Sequence, residues 1–442
     1  MLTKTSEAQF RTEIAQYKEE LDLSIINDEA EHKGRRTDKF NETEYSKIKE
    51  LIPSFDRKYD NIIIVEDDKL VYKGNDKEFY RKAYQMDILS NKELVNDEIL
   101  EELQPFITEW TVEAGDSITL PLYNYAHNKY NFTVDYGDGT EEKVVTSYDD
   151  ADKIHSYEKA GTYLITIKGQ CPAFSFNDES ISKEKITGIK QWGNVIKNIG
   201  GLPIALKINF SGCTNLKGNL PDPTENSFKN VLSVEYMFNG CINLEGPIPE
   251  NLFYNCKSNS FKGTFRDCKK IKEIPEKLFI NMSNTINFEG TFAGCKGIKE
   301  IPEKLFVENI NITNIGNGFE GCTELKSIPD NLFANCNKLK TCREAFLGCS
   351  NLETIGKNVF NSSENMDFYR AFENCSKLKC IPEDMFDNCP NVKTFIRTFD
   401  NCYGLTGEAP DIWNRTNVDG TGACFSGCKN LSNYNQIPSA WK

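Results

Sequence analysis

Apolar and polar positions in the second half of the chain recur with a period of 26–28 residues. Phenylalanine recurs as Phe210, Phe238, Phe265, Phe292, Phe319, Phe346, Phe372, Phe399 and Phe425. Three residues after each comes a cysteine: Cys213, Cys241, Cys268, Cys295, Cys322, Cys349, Cys375, Cys402 and Cys428. Three residues further on comes Leu or Ile: Leu216, Leu244, Ile271, Ile298, Leu325, Leu352, Leu378, Leu405 and Leu431. Middle copies add Ile-Pro-acidic-x-Leu-Phe at Ile274–Phe279, Ile301–Phe306 and Ile328–Phe333, with Met for Leu at Ile381–Phe386. A fixed period of this length is the signature of a solenoid, in which one coil cannot bury its apolar side and stacked neighbours can. The spacing predicts an α/β repeat. Leu-x-x-Ile forms a short strand, and Pro ends it because it has no N–H for the ladder. The acidic residue that follows suits the first turn of a short helix. Phe and Cys point inward and stack on their equivalents; at about 4.8 Å per coil, nine coils extend on the order of 40 Å.

Other patterns occupy the first half. From 106 to 170, Trp110-Thr-Val-Glu-Ala-Gly-Asp-Ser-Ile-Thr-Leu, Phe132-Thr-Val-Asp-Tyr and Tyr163-Leu-Ile-Thr-Ile alternate as strands around Gly-rich turns, which predicts a β-sandwich. Nearer the start, Phe10, Ile14, Tyr17 and Leu21 form a narrow helical stripe within 5–25, and further helices are expected over 44–51, stopped by Pro53, and over 77–86. Ile62–Val65 and Lys69–Tyr72 flank Asp67-Asp68 as a hairpin. The expected organisation is multidomain: an α+β attachment domain over 1–105, a sandwich over 106–170 and the solenoid over 171–442.

The Phe-x-x-Cys-x-x-Leu array, over roughly 172–435, resembles the bacterial surface leucine-rich repeats of the BspA family. Cys171-Pro-Ala-Phe-Ser-Phe and Ile189-Lys-Gln-Trp-Gly are similar to the lead-in of such arrays. The loop Asp135-Tyr-Gly-Asp-Gly and the His155-x-Tyr157…Gly161-x-Tyr163 hairpin resemble a PKD-type immunoglobulin-like sandwich, which implies a spacer or binding unit without catalytic activity. The N-terminal arrangement is similar to pilin-like or phage structural proteins, which implies attachment to a larger assembly through 1–105.

Charge narrows the partners. A net charge of −14 and a pI near 5.0 repel phosphate backbones and anionic lipid, so neither nucleic acid nor a membrane surface is expected. No apolar run approaches 18 residues, and the polar start MLTKTSEAQF reads as lacking a secretory leader. Sixteen cysteines would suit a disulfide framework, but equivalents in adjacent coils have parallel side-chain vectors, so the nine ladder cysteines read as reduced packing thiols. Cys256, Cys336 and Cys389, each after Asn, read as a partial second ladder. With three histidines and no nucleophile, phosphate-loop or zinc motif, no catalytic, cofactor or metal residue is assigned. Asp135 and Asp138 read as turn residues rather than calcium ligands, and the recurrent Glu276, Glu303, Asp330 and Glu383 as a solvated face.

The expected function is non-enzymatic recognition or adhesion toward a protein or glycan surface ligand, with oligomerisation allowed. The first reading is a phage virion component presenting the solenoid to host or mucosal surfaces. The second is a bacterial cell-surface adhesin of the BspA type lacking its leader. An intracellular scaffold and a glycan-active enzyme built from scattered carboxylates are the remaining alternatives. The expected location is the virion or the extracellular or cell-surface space.

Overall fold

The computed structural model describes residues 104–123, 130–176, 182–193, 207–224, 227–228, 231–362 and 364–442, together with the backbone of two strands nearer the start. Contacts divide the chain into Met1–Gln104 and Pro105–Lys442. In the first unit, β1 (Ile63–Glu66) and β2 (Lys69–Tyr72) pair antiparallel, from Ile63 opposite Tyr72 to Glu66 opposite Lys69. This is the expected hairpin, with its first strand shifted one residue along the chain. The helices expected over 5–25, 44–51 and 77–86 lie outside the described residues.

The second unit begins with β-structure. Strands β3 (Phe106–Val112), β4 (Ser117–Thr119), β5 (Asn131–Asp135), β6 (Lys143–Val145), β7 (Ile154–Ser156) and β8 (Gly161–Gln170) are followed by β9 (Ala173–Ser175), β10 (Ile186–Gln191) and β11 (Lys207–Asn209). They form an antiparallel sheet of order β10-β3-β8-β5-β6 and a two-stranded β4-β7 sheet. Alternation drives the burial: Phe106, Thr108, Trp110 and Val112 of β3 face inward, as do Ile165 and Ile167 of β8. Strand β10 lies beyond residue 170, yet it hydrogen-bonds to β3, so the sheet does not end at the boundary drawn from the sequence. Gly137 is sterically required in the loop after β5. Its φ is +77°, and a Cβ there would lie 2.5 Å from the Leu164 carbonyl oxygen.

Strand β9 leads into the repeats by pairing in parallel with β11. Each later coil sits on the one before it through parallel bridges between residues eight positions before successive ladder cysteines: Ser260 to Asn287, Asn287 to Asn314, Asn314 to Thr341, Thr341 to Asp367 and Thr394 to Gly420. Short strands β12 (Ser327–Ile328) and β13 (Thr354–Ile355) pair in parallel, as do β14 (Met366–Asp367) and β15 (Val392–Thr394). The expected Leu-x-x-Ile strand is therefore present at β12 and β13. The longer ladder runs through the polar position eight residues before Cys, which the periodicity did not single out.

Backbone bonding alternates along the segment that contains Phe and Cys. In the coil of Cys268, the N–H groups of Phe261, Gly263, Phe265 and Asp267 donate to Asn287, Glu289, Thr291 and Ala293 of the next coil. Those of Thr264, Arg266, Cys268 and Ile271 donate three residues back within the coil. Half the donors thus tie coils together and the other half close turns, which leaves these buried amides paired. Two left-handed positions recur along this segment, and four coils add a third at Asn255, Asn281, Asn331 or Asn358. Five residues before Cys, φ lies between 54° and 61° at Tyr236, Asn317, Glu344, Arg370, Arg397 and Ala423, as well as at glycines; one residue before Cys, Gly, Asp and Asn adopt 58° to 77°.

Aromatic ladders fill the interior. Neighbouring rings in the series Phe210 to Phe425 stack at centroid distances of 5.3–5.8 Å and within 18° of parallel. A second series runs through Phe279, Phe306, Phe333 and Phe360. A third position, seven residues before Cys, stacks Phe261 on Phe288 and Phe368 on Phe395. Contacts between series are edge-on, as for Phe279 with Phe288 at 4.7 Å and 65°, so negative ring faces meet positive edges. Both ends are closed: Phe174 and Phe176 pack on Phe210, while Trp441 packs on Phe395 and its carbonyl accepts the Phe425 N–H.

One expectation is corrected. The repeat is not α/β, because no α-helix occurs among the described residues. The segment after Pro closes in turns with i→i−3 bonds, such as Leu278 N–H to Pro275 and Ile280 N–H to Lys277. The physical reason is length and direction. About five residues give no return on helix nucleation, and adjacent Leu278 and Phe279 must both point inward. Truncating a central rung should show how much of the fold depends on it. Phe292→Ala is expected to lose about 3–5 kcal/mol in urea unfolding, since it leaves a cavity between two stacked rings.

Candidate functional site

All twenty-seven residues of the Phe, Cys and Leu/Ile series are placed in the interior, none more than 4 % exposed. They form the scaffold, and ligand-facing chemistry has to come from other positions. The thiols are tied into the backbone. From Cys241 onward, each ladder Sγ–H donates to the carbonyl of the Phe one coil back, at 3.0–3.2 Å, as Cys295 does to Phe265 and Cys322 to Phe292. Cysteine fits this position because it is small, apolar in bulk and still a donor. Burial pushes these thiols up, Cys349 to about 12, so they stay protonated and unreactive. All sixteen cysteines are free. Outside the ladder, the Cys256 thiol donates to the Val231 carbonyl and that of Cys336 to Asn309, while the Cys389 carbonyl accepts from Arg415.

Residues flanking the left-handed turns face solvent and carry a charged strip. The Arg343 guanidinium lies 4.0 Å from the Tyr369 ring centroid and 3.6 Å from Asp367. Arg370 meets Glu344 at 3.5 Å and Glu373 at 3.0 Å, and Arg397 meets Glu373 and Asp400, each at 3.8 Å. Earlier coils continue the strip with Lys262 and Glu289 at 2.9 Å and Arg266 and Glu320 at 3.7 Å. Side chains on successive coils become lateral neighbours here, so opposite charges one coil apart pair across the stack, while Arg370 with Glu373 and Arg397 with Asp400 pair within a coil. The cations of these pairs are a third to half exposed while Glu373 and Asp400 are buried beneath them, and the exposed pairs contribute little stability each. Periodicity could not reveal it, because these positions vary from coil to coil. The recurrent Glu276, Glu303, Asp330 and Glu383 are exposed, as a solvated face requires.

A smaller polar cluster lies at the β5–β6 loop. Asp135 Oδ1 accepts the Gly137 N–H at 2.8 Å, and Asp138 Oδ1 accepts the Thr140 N–H and hydroxyl, so both aspartates shape the turn. His155 Nε2 meets Asp138 Oδ2 at 2.7 Å, and the imidazole stacks on Tyr136 at 4.2 Å. Partial burial pushes the Asp138 carboxyl up, but hydrogen bonds from Thr140 and His155 outweigh it and hold the group at about 2. Among the described residues neither Ser nor Cys is hydrogen-bonded to His155, and the arrangement braces the loop. Among the described residues no group of three or more His, Cys, Asp or Glu is placed to hold a metal ion, and no helix is long and apolar enough to cross a membrane.

The geometry defines a class: a stacked-coil repeat protein with an aromatic and thiol core, joined to an antiparallel β-sheet module. The family model described as "Mycoplasma protein of unknown function, DUF285" matches twice, at 204–332 and 313–441, which together span more than half of the chain. The chain belongs to this family. No curated protein matches it. Among solved structures, a TLR13–ssRNA13 complex is similar at 13% identity over 49% of this chain and 35% of that one, with a TM-score of 0.16. The plant peptide hormone receptor RGFR1 with RGF2 is 14% identical over 49% and 48%, with a TM-score of 0.12. The leucine-rich repeat ectodomain of GASSHO1/SCHENGEN3 from Arabidopsis thaliana is 14% identical over 50% and 38%, with a TM-score of 0.13. The chain spans less than half the length of these chains.

Two measurements check the chemistry of these sites. Under native conditions a thiol reagent should label Cys380, the one exposed cysteine, and more slowly the partly buried Cys256, sparing the nine ladder thiols until urea is added. Asp138 should make acid stability measurable. Its lowered folded pKa contributes stability that is full above the ordinary value near 3.8 and is lost as pH falls toward 2. Asp138→Asn is therefore expected to cost up to about 2 kcal/mol at pH 7, with the gap to wild type closing near pH 2.

Proposed function

We propose that this is a non-enzymatic recognition protein acting at a cell surface, whose coil stack is a leucine-rich-repeat-type solenoid of the BspA kind and whose β module is a PKD-type spacer. The observation that carries the reading is the double match, along the coil stack, of a family model described from Mycoplasma. The solvent side supports it. Consecutive coils present a continuous strip of arginine, tyrosine and carboxylate, in which many shallow contacts can add over one extended ligand. The interior thiols are held protonated and the recurrent acids are solvated, so neither set is arranged for covalent or acid–base work. The ligand class is a protein or a glycan, and residues 1–105 would attach the chain to a larger assembly. The virion reading takes second place because the matching family is described from a cellular organism.

Localisation tests the proposal. Mass spectrometry of purified particles, washed envelopes and cytosol from the source should find the peptides in envelopes, released by protease from intact cells. Fixed stoichiometry in particles would replace this reading with the virion one, and confinement to cytosol would leave a scaffold.

A further inference from the structure

Two successive coils share one exposed sequence. Ile271–Phe279 and Ile298–Phe306 both read Ile-Lys-Glu-Ile-Pro-Glu-Lys-Leu-Phe, although packing dictates only the buried apolar members. On the side of the coil that follows Cys268, charge is sorted by sign. Lys269 and Lys272 come first along the chain, Glu273 and Glu276 after them, all exposed. The coil of Cys295 repeats the order with Lys296, Lys299, Glu300 and Glu303, again exposed. Stacking therefore sets lysine beside lysine and glutamate beside glutamate, an arrangement that costs stability. Other charges on these edges do the opposite: Lys270 reaches Glu245 at 4.0 Å, Lys277 reaches Glu250 at 3.4 Å, and Lys379 pairs with Glu353. None of the sorted lysines and glutamates has an ion-pair partner within 4.0 Å among the described residues. The inner four share one surface, since Lys272, Glu273, Lys299 and Glu300 rim a concavity of about 490 Å³ with Ile274, Ile301 and Pro302 in its lining.

We propose that this face binds the same face of a second copy of the chain, with the two coil stacks lying parallel. The charge pattern selects the occupant. A two-fold axis along the stack, running between the lysine and glutamate columns, lays each lysine column on the other copy's glutamate column. Lys272 then meets Glu273 and Lys299 meets Glu300, each pair made twice, and the outer Lys269 and Glu276 meet in the same way. A two-fold axis across the stack would set lysine on lysine, so the parallel arrangement is the one selected. A polyanion would satisfy the lysine column and be repelled by the glutamates alongside it, and a polycation the reverse. The concavity leaves room for the aliphatic stems of the other copy's lysines. Exposed pairs are individually weak, so the contact is salt-sensitive and gains from many copies held on one surface. It goes beyond the recognition reading and does not depend on which ligand the stack takes.

Sedimentation velocity on the full chain tests this. In about 50 mM salt the chain should dimerise with a dissociation constant on the order of 0.1 mM, weakened at least about tenfold in about 0.5 M salt. Lys272→Glu with Lys299→Glu makes the inner columns all acidic, and Glu273→Lys with Glu300→Lys makes them all basic. Both double variants should keep the wild-type unfolding curve, because the positions are exposed. Each alone should self-associate at least about tenfold more weakly, and their equimolar mixture should restore association to the wild-type level or above. Carbodiimide coupling of mixed ¹⁴N and ¹⁵N wild-type chains should join Lys299 of one copy to Glu300 of the other, which separates this face from any other site of association. A wild type that stays monomeric at about 0.5 mM, undiminished association of the variants, a mixture no better than either alone, or absence of the inter-copy link overturns the proposal.

Discussion

Register between successive coils is the constraint on which the rest of this molecule depends. Backbone N–H groups at alternate positions reach carbonyls of the next coil, and this fixes where every equivalent side chain must lie. The spacing suits stacked phenyl rings, which sit 5.3–5.8 Å apart along the Phe210 to Phe425 series. A larger offset would open gaps between rings, and a smaller one would make them clash. Hydrogen bonding along the axis and aromatic packing inside it therefore select the same geometry. Each supports the other at every rung.

That agreement explains the cysteines. A Phe carbonyl accepts the backbone N–H of its own coil's Cys and, from the next coil, a Cys Sγ–H. Alanine would fill much of the same space but leave out that donor, and serine would lose apolar contact. The thiols are structural because they are sealed, and sealing also raises their pKa. Reactivity, if any is needed, has to be found at the surface. There the repeat relaxes: the charged strip occupies positions that vary freely between coils, since no neighbour in the stack dictates them.

The resemblances seen in the sequence and the family match agree about the kind of repeat and do not identify a ligand. Fold alone cannot do so, because function on such scaffolds is carried by the variable surface. The closed ends of the stack matter for the same reason. With Phe174 and Phe176 covering one end and Trp441 the other, the stack presents its sides rather than its ends to partners.

By itself the sequence determined the period, the inward set of Phe, Cys and Leu or Ile, the free state expected of the ladder thiols and the hairpin near residue 67. Those features are carried by residue identity repeated at fixed spacing, which one chain displays openly. Gly, Asn or Asp also stands just before each ladder Cys, and there the structure puts a left-handed residue that the period alone did not announce. Only tertiary structure revealed the second such site, where Tyr236, Glu344, Arg370 and Arg397 adopt positive φ against their own preference. Only tertiary structure assembled the interior series seven residues before Cys, where Val234, Phe261, Ile315 and Cys342 differ in identity but share burial. It also replaced the expected helix with turns and joined β10 to β3 across the expected boundary. The reason is common to all of these. Each depends on what the neighbouring coil or strand places across a few ångströms, and local propensity holds no record of a neighbour 27 residues away.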